Sequence, residues 1–374
     1  MKTIIKSIII AGVFIISLLS LLHVKSAMPS GKTTHSVEFI EKIDDWEKCE
    51  LANCGIDIDK SSIDLSSSDG RPMIETCPVE AGFKFDQLIL SWNIQVGVTR
   101  SPIKFQVEVS EDGRKWHRFD YLTWGSKDSK SEDGVKSIDG VGRMAVDVLR
   151  LQKPMRYARV IVSCIENHDY KGMYLRRLAL SFSNDNPSWA EYGKNHPDHE
   201  KIVYNSTRLA VPYTTQRSLE ANNSGGACSP TAVSMVLNYY NPGIIANDFA
   251  WKAYDNQNEI FGNWPYNIQA AFETGLNKAW IERHCGFDEI YDEISEGKPV
   301  VISIAYGYDE LSNSPIHAAE QGHLVVVVGF DGPDTVICND PAGHGVDDGI
   351  IKYPREELEK AWIGHTGVAY HLWP

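Results

Sequence analysis

The 374-residue chain is short of two things: positive charge and long apolar runs. Lys and Arg number 36 against 50 Asp and Glu, a formal net charge of −14. A surface so poor in clustered Lys and Arg excludes nucleic acid as a partner. Beyond residue 22 no segment is long and apolar enough to span a bilayer. No internal repeat and no low-complexity tract is present, and 43% hydrophobic with 23% charged residues is the composition of a folded protein. Such a length exceeds what one core normally holds, so two domains are expected.

The one long apolar run lies at the start. MKTIIKSIIIAGVFIISLLSLLHVKSAMPS has Lys2 and Lys6, then apolar residues from Ile8 to Leu22, then small Ser26 and Ala27. It reads as a signal peptide over residues 1–27, with an uncleaved anchor as the alternative. No cysteine follows the run, so lipid anchoring is not indicated. Export is expected, to the periplasm, the cell envelope or the medium, and no membrane span remains once the leader is cleaved.

Seven cysteines are an odd number, so at least one stays out of any internal disulfide. Cys49 and Cys54 in CELANC are close enough in sequence to bridge each other. Neither they nor Cys164 with His168 have the partner pairs of a zinc site. No metal or cofactor is called for.

Residues 36–183 hold short runs of strand character: LILSWNIQV, IKFQVEVS, MAVDVLRLQ, YARVIVSCI and YLRRLALSF, separated by turns such as EDGRKW. A β-sandwich is the expected solution. Residues 184–208, polar and broken by prolines, read as a linker. From 209 to 374 helical patterns (SPTAVSMVLNYY, NIQAAFETGL, FDEIYDEISEG) precede strands (KPVVISIAYG, HLVVVVGF, DTVICND, GIIKYP), then a helix, REELEKAW, and a closing strand. That order predicts an α+β domain.

Within it, ANNSGGACSPTAVSMVLNYY (221–240) places Cys228 between a glycine-rich loop and an amphipathic helix. Pro230 fits the first helical turn, which puts Cys228 at the helix N-terminus, where dipole and amides favour a thiolate. Asn223, Ser224, Gly225 and Gly226 let a substrate approach the backbone. A small buried core cysteine is the bland alternative. A thiol nucleophile needs a base and the base an orienting group. His323 opens HLVVVVGF and Asp340 ends TVICND, with the turn DGPD between them. A two-residue loop sets His323 opposite Asp340; a four-residue loop sets Asp340 opposite Val325, diagonal to His323. Both keep the pair on one face, whereas a three-residue loop separates them. Asn339 is the runner-up orienter. Gln216 and the Cys228 amide are candidate oxyanion donors.

VPYTTQ, CSPTAVSMVLNYY, GKPVVISI, GHLVVVVGFD and NDPA occur in that order. Together they resemble the papain-like cysteine peptidases related to the bacteriocin-processing, double-glycine-leader peptidases. The resemblance covers 209–374 and implies Cys228 as nucleophile, His323 as general base, Asp340 as orienter and Gln216 in the oxyanion hole. The first half resembles a β-sandwich module found before such domains in exported bacterial proteins. Ser229 departs from a common glycine, Gln216 stands further from Cys228 than in the leader-processing enzymes, and no transporter segment is present. The implied substrate is a peptide, protein or cell-wall peptide, cleaved through a thioester. The alternatives are acyl transfer, or a catalytically silent cell-surface binding module.

Four further groups compete for attention. Cys285 follows His284 directly, and adjacent side chains rarely serve one substrate. Cys338 reads as core. His317, His344 and Asp347 read as loop residues near the cleft or as plain surface. Trp92, Trp116 and Trp124 suggest a glycan-stacking surface on the first half, against the more ordinary reading as core.

Overall fold

Strands dominate both halves of the chain. The computed structural model describes residues 35–66, 70–98, 100–125, 137–138, 140–165, 168–184, 203–220 and 226–374. The leader (1–27), most of the 184–208 stretch, and Asn223, Ser224 and Gly225 lie outside the described residues. No helix among the described residues is long and apolar enough to cross a membrane.

In the first half twelve strands form one hydrogen-bonded network. Its main members are β1 (His35–Ile40), β2 (Val79–Gln95), β3 (Ile103–Ser110), β4 (Val148–Cys164) and β5 (Tyr174–Ser183). MAVDVLRLQ breaks at a turn at Val146 and Asp147, with Met144 and Ala145 in a short strand paired back on β4, and its second part shares β4 with YARVIVSCI. The pairing of β4 with β2 shifts register between Arg150 and Met155, around Pro154, which has no N–H to donate. Further along, β4 pairs with β3 from Tyr157 to Cys164. Trp92 stacks on Phe105 at 4.0 Å in the core, and Trp124 is buried with them. Trp116 instead lies under the Arg159 guanidinium, 4.6 Å from its ring centre.

The second half opens with helices α1 (Cys228–Tyr240), α2 (Ala246–Ala253) and α3 (Trp264–Glu273). Strand β6 (Lys278–Arg283), helix α4 (Asp288–Ser295), strands β7 (Val300–Tyr306), β8 (Glu320–Phe330), β9 (Thr335–Asn339) and β10 (Ile350–Pro354), helix α5 (Arg355–Ile363) and strand β11 (Val368–Trp373) follow. The strands pair antiparallel in the order β6-β11-β7-β8-β9-β10. LAVPYTTQ, whose pattern predicts a short strand and turn, has its pairing with β8 just before it, at Thr207–Arg208, and its Gln216 opens a 3-10 turn, Gln216–Ser218. Both α2 and β6 lie in stretches whose short, mixed patterns carry no clear period.

Apolar residues on both faces make β8 a central strand. Leu324, Val326 and Val328 join the core beneath α1, with Val233 and Val236. Val325 and Val327 join the opposite core, with Phe287, Ile290 and Trp362.

Residues 34–374 form one compact unit, because buried side-chain amides bond to backbone across the two halves. Asn93 donates to the Ala279 carbonyl (2.8 Å) and accepts from the Ala279 amide (3.2 Å). Gln269 treats Ile94 the same way, at 2.7 and 2.8 Å. Each amide mimics a strand neighbour, so no buried backbone group is stranded there.

Candidate active site

Helix α1 begins at Cys228 itself. Gly226 at φ +81°, a conformation that a Cβ disfavours, turns the chain into the helix. Pro230 occupies the first turn, and the Thr231 hydroxyl donates to the Ala227 carbonyl at 2.6 Å. Ser229 meets the Tyr370 hydroxyl at 3.0 Å, which fixes the helix start against β11. Cys228 is buried, and its sulfur lies close enough to His323 to help raise the imidazole pKa. His323 Nε2 donates to Asp340 Oδ1 at 2.7 Å, which leaves Nδ1 uncommitted to the carboxylate.

The hairpin reaches this arrangement by an unforeseen route. Phe330 pairs with Val336, and the Asp331 amide donates to the Thr335 carbonyl, so the loop proper is Gly332–Pro333–Asp334. Three residues is the length expected to separate His323 from Asp340. A register shift between Val327 and Gly329 removes the offset, and Val326 then pairs with Asn339. Asp340 therefore comes beside Val325, diagonal to His323. Gly329 lies against Thr207, where a Cβ would collide with the Thr207 carbonyl.

Asp340 is fully buried, yet its carboxylate is well supplied with donors. Oδ1 also accepts from the Ala342 amide (2.8 Å), and Oδ2 accepts from the Tyr353 hydroxyl (2.6 Å). Burial pushes the Asp340 pKa up, but the His323 charge and these hydrogen bonds hold it below the ordinary value of 3.8. Burial pulls His323 down, but the Asp340 charge and the bonds to Asp340 and Cys228 carry it well above 6.5. The arrangement favours an imidazolium between carboxylate and sulfur.

Gln216 is half-buried at the start of the 3-10 turn. Its backbone N–H donates to the Pro341 carbonyl (2.9 Å), and neighbouring Arg217 Nε donates to the Ala342 carbonyl (2.8 Å). Tyr213 donates to the Asp340 carbonyl at 3.0 Å. The segment before Cys228 is thus stitched to the loop after Asp340. Gln216 Oε1 is buried with no hydrogen-bond partner among the described residues.

Asn339 turns away from His323 and donates to the Val211 carbonyl at 3.0 Å. Tyr353 was not anticipated. Its strand pattern, GIIKYP, does not reveal which residue faces Asp340, since that depends on how β10 pairs with β9.

Among the competitors, no disulfide joins any of the seven cysteines. Cys338 is core. His344 and Asp347 are exposed, and His317 lines a cleft of ≈ 220 Å³ with Tyr306 and Ser314. Cys285 does have a histidine, though not its sequence neighbour: its sulfur lies 3.4 Å from His35 Nδ1, on the first strand of the chain. His35 Nε2 in turn lies 3.2 Å from Glu289.

Residues 208–370 match the model of the Peptidase_C39 like family. The papain-like relation expected for this region stands on that match. A candidate C39-like peptidase from Bacillus anthracis is 21% identical, covering 46% of this chain and 98% of its own, with a TM-score of 0.35. The C-terminal domain of a chitobiase from Bacteroides fragilis is 12% identical over 38% of this chain and 98% of its own (TM-score 0.20). A carbohydrate-binding module, CBM32-3, from a family 31 glycoside hydrolase of Clostridium perfringens is 13% identical over 38% of this chain and 94% of its own (TM-score 0.17). No curated protein matches the chain.

Proposed function

We propose that the chain is an exported cysteine peptidase or related thiol amidase. The observation that carries this reading is the line Cys228–His323–Asp340 at the start of a helix, with Asp340 held by three donors. His323 takes the proton of Cys228, and the thiolate attacks an amide carbonyl. The Cys228 amide and Gln216 steady the oxyanion. His323 then protonates the leaving amine, and water hydrolyses the thioester. The substrate class is a peptide, in a protein or in the cell wall.

The first half serves as an accessory β-sandwich rigidly joined to the peptidase half. The switch of β4 from β2 to β3 is how strands pass between layers of such a module. Of the tryptophans considered for glycan stacking, Trp92 and Trp124 are spent in the core.

Alkylation of the folded chain with iodoacetamide across pH, followed by peptide mapping, tests the site. Cys228 is expected to react ahead of the other six cysteines, and His323→Ala to remove that preference. A Cys228 no more reactive than its buried neighbours overturns the reading. Product analysis with competing amines separates hydrolysis from acyl transfer.

A further inference from the structure

A second buried cluster lies where β6, β11 and α4 meet. His284 follows β6, and His371 lies on β11. Their Nε2 atoms stand 2.9 Å apart. The outer nitrogen of each ring is already committed. His284 Nδ1 lies 2.9 Å from Glu289, and His371 Nδ1 lies 3.0 Å from Glu293, one turn further along α4. A carboxylate only accepts, so each Nδ1 carries the hydrogen. Both Nε2 atoms then present lone pairs to each other. Two acceptors at that distance form no bond, so either an added proton or a metal ion has to bridge them.

The surroundings favour a metal ion over a proton. Glu282, half-exposed on β6, brings a third donor atom: the ligand atoms of Glu282, His284 and His371 all lie within 4.8 Å of one another. Its Oε2 accepts from Trp280 Nε1 at 3.1 Å, which leaves Oε1 to bind. A carboxylate behind each imidazole is the arrangement that orients metal-ligating histidines and raises their basicity. Trp280 stacks on His371 at 4.7 Å and holds the ring in place.

We propose that His284, His371 and Glu282 bind one divalent transition-metal ion of the zinc class through both Nε2 atoms and a carboxylate oxygen, with water completing the shell. The separation of 87 positions between the two histidines hides the site from any spacing rule. The site is separate from Cys228 and independent of the activity proposed above. Its ligands on β6 and β11 and just after β6 suit a structural ion that ties the edge of the second sheet together.

The test uses the full chain, stripped with a chelator and titrated with zinc by calorimetry and with cobalt(II) by absorption. The wild type is expected to take up one equivalent that a His284→Gln/His371→Gln double variant lacks. That equivalent shows d–d bands without thiolate charge transfer, which distinguishes it from metal held by cysteines. Glu282→Gln, a change at a half-exposed side chain, weakens binding with the fold retained. Glu293→Gln weakens it by about 10- to 100-fold. Equal uptake by wild type and double variant, or a thiolate signature on the lost equivalent, overturns the proposal. So does no uptake by the wild type, the result expected if the pair shares only a proton.

Discussion

The molecule holds two Cys–His–carboxylate clusters, and they differ in what surrounds the sulfur. Cys228 meets His323, backed by Asp340; Cys285 meets His35, backed by Glu289. Both thiols are buried, at 6% and 3% exposure, so burial does not separate them. The helix does. Cys228 is the first residue of α1, where amides lack intrahelical acceptors. The Cys285 amide donates to Glu289 at 3.1 Å, so the group that would steady an oxyanion is already used. Glu289 also takes His284, whereas Asp340 keeps one histidine and fills its other positions with neutral donors. On the proposed reading, the same three residue types make a poised nucleophile in one place and a structural knot in the other, according to where the backbone amides point.

The strongest way to break this comparison is to delete each sulfur. Cys228→Ala is expected to lower kcat/KM on peptide substrates by about 10⁴-fold or more, while Cys285→Ala leaves it unchanged. The reverse order would exchange the roles of the two clusters.

Neutralising the carboxylates comes next. Asp340→Asn removes the charge that keeps His323 protonated and should reduce kcat by about 10²-fold or more. The alkaline limb of its pH–rate profile should also move toward acid, since the imidazolium that protonates the leaving amine is lost sooner. Glu289→Gln should leave the profile in place. The same pair governs stability. The raised His323 value contributes stability that is complete below about 6.5 and is lost as pH rises through the folded value. The lowered Asp340 value contributes stability present above 3.8 and lost as pH falls through its folded value. Denaturant midpoints measured across pH should therefore lose their dependence on His323 in Asp340→Asn.

Two smaller effects sharpen the contrast. His35→Ala breaks a buried ion pair and should destabilise the chain by about 3 kcal/mol, measured by urea unfolding, with peptide turnover intact. Tyr353→Phe leaves Asp340 Oδ2 without a donor and should lower stability by about 1–3 kcal/mol, with a modest loss of kcat.

Much of the candidate site was legible because its determinants are local. Pro230 and the glycines mark a helix start, and the apolar run 324–328 marks a strand buried on both faces. The hairpin was legible only in part: parity arguments assume an unbroken ladder, and the shift after Val327 changes parity within the strand. Tyr353 and the Cys285–His35 contact could not be read, because each joins elements whose neighbours are set by sheet order. Trp92 and Trp124 were legible as core, since an aromatic surrounded by alternating apolar residues has a buried face to fill, whereas Trp116 stays half-buried under Arg159.

By itself, then, the sequence determined the strand-rich first half, the helix that begins at Cys228, and the histidine and aspartate at the ends of two adjacent strands. Those follow from backbone preferences and side-chain periodicity, which act over a few residues. The tertiary structure alone decided which cysteine has a free helix end, which carboxylate each histidine meets, and that His284 faces His371 across two paired strands. Such contacts depend on sheet order and on the packing of the two halves, which no short stretch of sequence encodes.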